Sequence, residues 1–248
     1  MSRTTYWALA VVAGAVVWGA SALRAGDTDP PAGPVAPSMK TLDEITTSTP
    51  INQRFTPGDH GARFVVRESG RYHLEGDITE VVINAIRVEA TSVIIDLNGH
   101  TLSGLADLTS PPGQGVGIRA AEGIDVGTVT VANGTVIGFA TGISADGSLA
   151  LNDVKVMGSS REGVRVRGDL TMQRCRVVRN GRAGVLMPVD TSRFVITQSI
   201  FHTNGESAVS GGGAGLIAHC VSEDNDQDGT AFHVSPSTLI TDSIGTRG

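Results

Sequence analysis

Aromatic side chains are scarce in this sequence: 6 Phe, 2 Tyr and 2 Trp among 248 residues. Leucine is also thin, at 14, and lysine numbers only 2 against 17 arginines. So few leucines exclude a coiled coil or a leucine-rich bundle, whose seams consist of that residue. Positive charge is not in excess either. The formal net charge is -6, which argues against a general nucleic-acid binder as partner or function. The preference for Arg over Lys is read as codon bias. There are 2 cysteines, and no Cys-x-x-Cys or His-x-x-x-His spacing occurs among them and the 6 histidines, which excludes the usual zinc layouts. What the chain does have is Val and Ile, 44 together, and 32 Gly. β-Branched side chains suit a pleated surface better than a helix, so the bias predicts an all-β protein. The length suits one domain, or one domain with a tail.

The N-terminus has the three-part layout of a secretory signal. Arg3 supplies a basic start, Ala8 to Ala20 is apolar without charge, and Ala20-Ser21-Ala22 offers small residues where a signal peptidase reads. Residues 1–25 are therefore expected to be a signal peptide cleaved after Ala22 or Ala25. The alternative is an uncleaved membrane anchor, since Tyr6 to Leu23 runs 18 residues without charge, at the short edge of a bilayer span. Either reading exports the rest of the chain to the periplasm, the cell surface or the medium. Residues 26–50 hold Pro30, Pro31, Pro34, Pro37 and Pro50 and read as an extended linker, with a short helix possible over Met39 to Thr46. The folded domain is expected over 51–248.

That domain repeats. Gly142-Ile143, Gly163-Val164, Gly184-Val185, Ala208-Val209 and Ala231-Phe232 are small-plus-apolar pairs spaced 21, 21, 24 and 23 residues apart. Gly117-Ile118 and Ala85-Ile86 extend the series towards the N-terminus. The long step between those two holds Pro111-Pro112 and reads as an inserted loop over Asp107 to Gln114. A second column follows: Ser159, Asn180, Asn204 and Asn225. Asn tolerates left-handed backbone and bonds its own turn, and stacked Asn side chains can bond one another, so this column predicts an asparagine ladder at a turn. Three further columns fall eight, five and three residues before it: Leu151, Met172, Ile196, Ile217; Val154, Cys175, Ser199, Cys220; Val156, Val177, Phe201, Ser222. Small or apolar residues fill every slot, and the alternation between them has the period of two that a strand requires. Coils of 21–25 residues with three short strands predict a right-handed parallel β-helix, a solenoid. A leucine-rich repeat has similar length, but its consensus is absent.

Particular segments carry a resemblance. Val93-Ile94-Ile95-Asp96-Leu97-Asn98-Gly99-His100-Thr101-Leu102-Ser103-Gly104 resembles the VTIDLNGFTLSG signature of right-handed parallel β-helix repeat proteins. Val131-Ala132-Asn133-Gly134-Thr135-Val136-Ile137-Gly138-Phe139 is similar to VRNGTVRGF, and Gly70-Arg71-Tyr72-His73-Leu74-Glu75-Gly76-Asp77-Ile78 to GSYYLTGNL, where such chains enter their first coil. The resemblance covers about 38–248. It implies a pectate-lyase-like superfold in an exported, planctomycete-type family whose function is mostly unassigned, so architecture is what transfers.

Four sets of residues are candidates for chemistry. Polysaccharide cleavage would follow from the superfold, yet the NTD, DD, GHG and RIK motifs of inverting polygalacturonases are missing, as are WIDH and RxPxxR of pectate lyases. Asp59-His60-Gly61 is a faint echo that lies before the coils. A lyase site using Arg as base and a bound metal stays open as an alternative. Second, Asp224-Asn225-Asp226-Gln227-Asp228-Gly229 has the D-x-D-x-D-G start of a calcium loop, so Asp224, Asp226 and Asp228 are candidate Ca2+ ligands. The closing acid is missing, and the bland reading is an acidic, solvated turn. Third, Arg161, Arg165, Arg167, Arg174, Arg176, Arg179 and Arg182 crowd a short stretch. Val164 and Val166 should point inward, leaving Arg165 and Arg167 outward, with Arg119 and His233 on the same sheet face several coils away. These four are the candidate ligand-binding residues for carboxylates or sulfates of an acidic glycan. The alternative is a solvated surface. Fourth, no G-x-S-x-G elbow marks a serine nucleophile, and His219 beside Cys220 reads as one outward and one inward strand residue.

Cys175 and Cys220 share an inward column two coils apart, about 9.6 Å at one interstrand spacing per coil. A disulfide needs Cα atoms closer than ~7 Å. Export notwithstanding, the register predicts two free, buried thiols. The function expected from all this is extracytoplasmic binding or scaffolding on cell-surface or extracellular polysaccharide. A polysaccharide lyase or glycoside hydrolase with a non-standard site, and a purely structural envelope protein, are the alternatives. The only membrane contact expected is through the N-terminal segment, if uncleaved.

Overall fold

Each short strand buries every second residue, as period-two alternation dictates. The computed structural model describes residues 47–105, 115–120, 127–188, 193–225 and 231–245. In the strand Val164–Val166 the two valines are buried and Arg165 between them is half-buried. In Leu149–Met157 the buried residues are Leu149, Leu151, Val154 and Val156, and the phase slips by one at Asp153. That slip is a turn: Asp153 has φ +57°, and Asn133, Arg174, Gln198, His219 and Asp242 take the same left-handed backbone in their own coils. One left-handed residue redirects the chain between two strands, which explains why a single long strand and a pair of short ones occupy equivalent places in successive coils.

The strands stack into two sheets, one of 15 strands and one of 9. The first sheet has two arms, joined at those left-handed residues. A leading arm contains strands such as Leu170–Gln173, Arg193–Thr197 and Ala214–Ala218, and a trailing arm contains Arg176–Val178, Ile200–His202 and Val221–Glu223. The second sheet contains Asn84–Val88, Val116–Ala120, Thr141–Ala145, Val164–Val166, Val185–Met187, Val209–Gly211 and Phe232–Val234. All pairings are parallel except that of Pro57–Asp59 with Ala62–Val66. Among the described residues there is no helix. The architecture is the parallel β-helix expected from the repeat, and the small-plus-apolar pairs are in register: Ile86, Ile118, Ile143, Val164, Val185, Val209 and Phe232 face one another coil by coil. The fold already includes Thr49 and Pro50, which the proline count placed in the linker; they pair with Tyr72 and His73. Proline is tolerated there because the strand lies at the sheet edge. The expected signal peptide, residues 26–46 of the linker with its short helix, and the loop Asp107 to Gln114 lie outside the described residues.

The core is the set of inward columns. Leu151, Met172, Ile196 and Ile217 are fully buried, as are Val156, Val177, Phe201 and Ser222. Each large apolar side chain so buried contributes about 1.5–3 kcal/mol against the entropy of ordering its coil. Among the described residues, burial falls away in the last coil. Ile240 is in register with the fully buried Ile217 yet stands 43% exposed. A solenoid coil is covered only by its neighbours, and among the described residues this one has a neighbour on one side.

The predicted ladder forms, with one difference. Asn180 Nδ2 donates to Asn204 Oδ1 at 2.9 Å, and Asn204 Nδ2 donates to Asn225 Oδ1 at 2.7 Å. The backbone N–H of Ser159 donates to Asn180 Oδ1 at 3.0 Å, so the serine ends the series with its own hydroxyl buried and unpartnered. The asparagines themselves are not left-handed. The residues just before them are: Arg179, Thr203 and Asp224, with Gly138 and Gly158 in earlier coils. The turn thus takes its left-handed residue on the outside, and the following Asn keeps a backbone that aims its amide inward along the stack.

Candidate functional site

On the second sheet one outward column passes through Arg87, Arg119, Ser144, Arg165, Leu186, Ser210 and His233, each in register with the next. Successive members stand about 4.8 Å apart. Arg119 and Arg165 therefore flank Ser144 at one coil each, and both are half-buried. His233 lies on the same column but three coils beyond Arg165, with Leu186 and Ser210 between them, so it does not join the arginines. Arg87 does, beside Arg119. Its place in the column is hard to recognise in the sequence, because its coil precedes the long insertion that interrupts the period.

Arg87 is heavily engaged. It donates to both oxygens of Asp59, through Nη1 at 3.1 Å to Oδ1 and through Nη2 to Oδ2, and its Nη2 lies 2.8 Å from Glu89 Oε1. The guanidinium and the backbone N–H of Gly61 hold the Asp59 carboxyl down to about 2. The Asp59-His60-Gly61 echo of a hydrolase motif is thus a turn: Asp59 Oδ1 accepts from the N–H groups of Gly61 and Ala62, and the carboxylate is spent on structure. Arg167 falls just past the strand Val164–Val166. It points outward as expected, but its Nη1 bonds Asp146 Oδ1 at 3.0 Å. Arg165 makes no side-chain hydrogen bond or ion pair among the described residues.

The remaining arginines of the cluster scatter to different faces, because neighbours in sequence leave a solenoid in different directions. Arg161 and Arg182 each approach the buried Glu162 to 3.8 Å, and Thr141 Oγ1 donates to that carboxylate at 3.4 Å. Arg174 forms a two-pronged pair with Asp153 of the preceding coil, Nε to Oδ1 and Nη2 to Oδ2, both at 2.7 Å, which holds the Asp153 carboxyl below its usual range. Arg176 and Arg179 lie on the trailing arm of the first sheet, away from Arg165 and Arg167.

Of the calcium candidates, Asp226 and Asp228 lie outside the described residues. Asp224 is exposed at its left-handed turn, with Oδ2 3.7 Å from His202 Nε2. Among the described residues no group of three or more His, Cys, Asp or Glu side chains gathers to hold a metal. A cleft of about 430 Å³ lies elsewhere, near the start of the fold, between Asp59, Arg63 and Glu80 and the exposed Val82 and Ile83. The two cysteines are free and buried, in one column as expected: the N–H of Cys175 donates to Ser199 Oγ at 3.1 Å. His219 is exposed and Cys220 buried, again as the alternation required.

The family described as right handed beta helix region matches residues 114–245, more than half of the chain. This chain belongs to that family, and its parallel coils are those of a right-handed β-helix. Comparison with curated proteins found no match, and neither did comparison with solved structures.

Proposed function

We propose that the protein is an exported binding or scaffolding β-helix that grips an acidic polysaccharide along the outward column of its second sheet. The observation that carries this reading is the register of Arg119, Ser144 and Arg165, with Arg165 lacking an ion-pair partner. Three successive coils of the column each carry a donor side chain, Arg119, Ser144 and Arg165. An extended chain bearing repeated carboxylates or sulfates fits such a track better than a compact ligand does. The charge is local, since the whole molecule is acidic at -6, so the column is not a by-product of a basic protein. Arginine forks match planar carboxylates and sulfates through paired N–H groups. Export is supported by Arg3, the apolar run Ala8 to Ala20 and the small residues at Ala20 and Ala22.

The test is retention of the full chain on immobilised polygalacturonate, with a neutral glucan as control. Retention should fall steeply with salt, because exposed charges are screened. The Arg119→Ala, Arg165→Ala double variant should elute with the neutral control. If it is retained as strongly as wild type, the column is not the glycan site.

A further inference from the structure

We infer that the trailing arm of the first sheet holds a second, separate anion site, shaped for one tetrahedral oxyanion such as a sulfate or phosphate ester. A concavity of about 170 Å³ opens there between Lys155, Met157, Arg176, Val178, Arg179 and His202. Lys155 and Arg176 are direct cross-strand neighbours. Two like charges placed opposite each other repel and destabilise a sheet unless something neutralises them. Nothing does so from within: among the described residues the side chains of Lys155, Arg176 and Arg179 form no hydrogen bond or ion pair. Two nearby carboxylates are engaged elsewhere, Asp153 by Arg174 and Asp224 beside His202, while Glu223 is the cross-strand neighbour of His202, one coil beyond it.

The boundaries of the patch limit its ligand. On one side the same outward columns continue as Thr135 and Ile137, on the other as Ile200, with Glu223 following His202. The cationic stretch is therefore only two coils deep, which suits a single compact dianion and not a polymer track. Met157 and Val178 form an apolar floor between the charges. An oxyanion carried on a sugar would set the apolar face of the ring on that floor while its oxygens met the ammonium and the two guanidinium groups. His202 closes the far side, with Nδ1 against Thr203 Oγ1 and Nε2 towards Asp224.

Arg179 supplies a clean test. It has φ +56° where the two preceding coils have Gly138 and Gly158 at +73° and +64°. Glycine takes this backbone without strain, so Arg179→Gly deletes the guanidinium and should melt no lower than wild type. The full chain is titrated calorimetrically with inorganic phosphate, inorganic sulfate, glucose 6-phosphate, glucose 6-sulfate and glucose, at constant ionic strength. Oxyanion probes should bind wild type, glucose should not, and Arg179→Gly should weaken binding about tenfold or more. The Lys155→Gln, Arg176→Gln variant should abolish it, while Arg71→Ala, at an exposed position of the strand Gly70–His73, leaves it unchanged. Tighter binding of the esters than of the free ions assigns the source as an esterified sugar, and equal binding assigns it as the free ion. No heat with any oxyanion at millimolar concentration, equal affinity of wild type and Arg179→Gly, or loss of binding in Arg71→Ala overturns the inference. None of these outcomes depends on whether polygalacturonate is retained.

Discussion

Asn180 and Asn204, 24 residues apart in sequence, are joined through their buried side-chain amides at 2.9 Å. Asn204 is bonded to ladder asparagines on both sides. Its Oδ1 accepts from the side chain and the backbone N–H of Asn180, and its Nδ2 donates to the Val177 carbonyl and to Asn225. Asn204→Ala would strip all of these and strand buried donors and acceptors in three coils. Equilibrium denaturation should show a loss of about 2–4 kcal/mol. A loss below ~0.5 kcal/mol would mean that water replaces the amide and that the ladder is not structural.

The conversion of Gly163 to Ala tests how tightly coils approach. A Cβ there would stand 2.7 Å from Asn180 Nδ2, 2.7 Å from Val177 Cγ1 and 2.8 Å from the Gly184 carbonyl oxygen. Ordinarily Gly→Ala stabilises by restricting the unfolded chain. Here the neighbours are backbone and a ladder amide, which cannot retreat without breaking hydrogen bonds, so overpacking decides the sign. Gly163→Ala should destabilise by about 1–3 kcal/mol. Ala208, at the equivalent place two coils on, should accept Gly at a smaller cost, and thermal melts of the two variants should rank in that order.

The cysteines give a chemical and a pH prediction. Burial pushes the Cys175 thiol up to about 11, and it raises Cys220 as well. Both should resist iodoacetamide at pH 8 in the native state and react after denaturation. Mass spectrometry of the non-reduced protein should find no peptide linking them. A raised folded pKa means the neutral thiol's contribution is complete below the unfolded value near 9 and is lost as pH rises through about 11. Stability should therefore decline between pH 9 and 11, by on the order of 2 kcal/mol from Cys175. Cys175→Ala should flatten that decline.

Asp59 should behave in the opposite sense. Arg87 holds its carboxyl at about 2, so its contribution is present above the unfolded value near 4 and is lost as pH falls through about 2. Carbon-detected NMR titration should show Asp59 still ionised at pH 3. In Arg87→Ala it should titrate in the ordinary carboxylate range. An unchanged titration in that variant would assign the effect to the Gly61 and Ala62 amides alone.

Period was the quantity most legible in the sequence. Because every coil repeats the same path, Gly142-Ile143, Gly163-Val164 and their successors had to stack, and inward columns, ladder and free thiols followed from one alignment of offsets. Local alternation likewise assigned Arg165 to the outside between two buried valines. Asn180 was legible as a ladder residue, but not which residue of its turn would be left-handed, since that depends on how the backbone must bend to keep the amide on the stack.

What only the tertiary structure decided is which charges remain available. Arg165, Arg167, Arg174 and Arg176 look alike in a string. In the solenoid, Arg167 meets Asp146, Arg174 meets Asp153 and Arg165 meets neither. Those partners lie 21 residues back in the chain, one coil away in space. An ion pair needs side-chain atoms within a few ångströms, and a shift of a single residue in a turn moves a side chain to another face. Periodicity determines the column to which a residue belongs, whereas the turn geometry between columns determines what its charged end can reach.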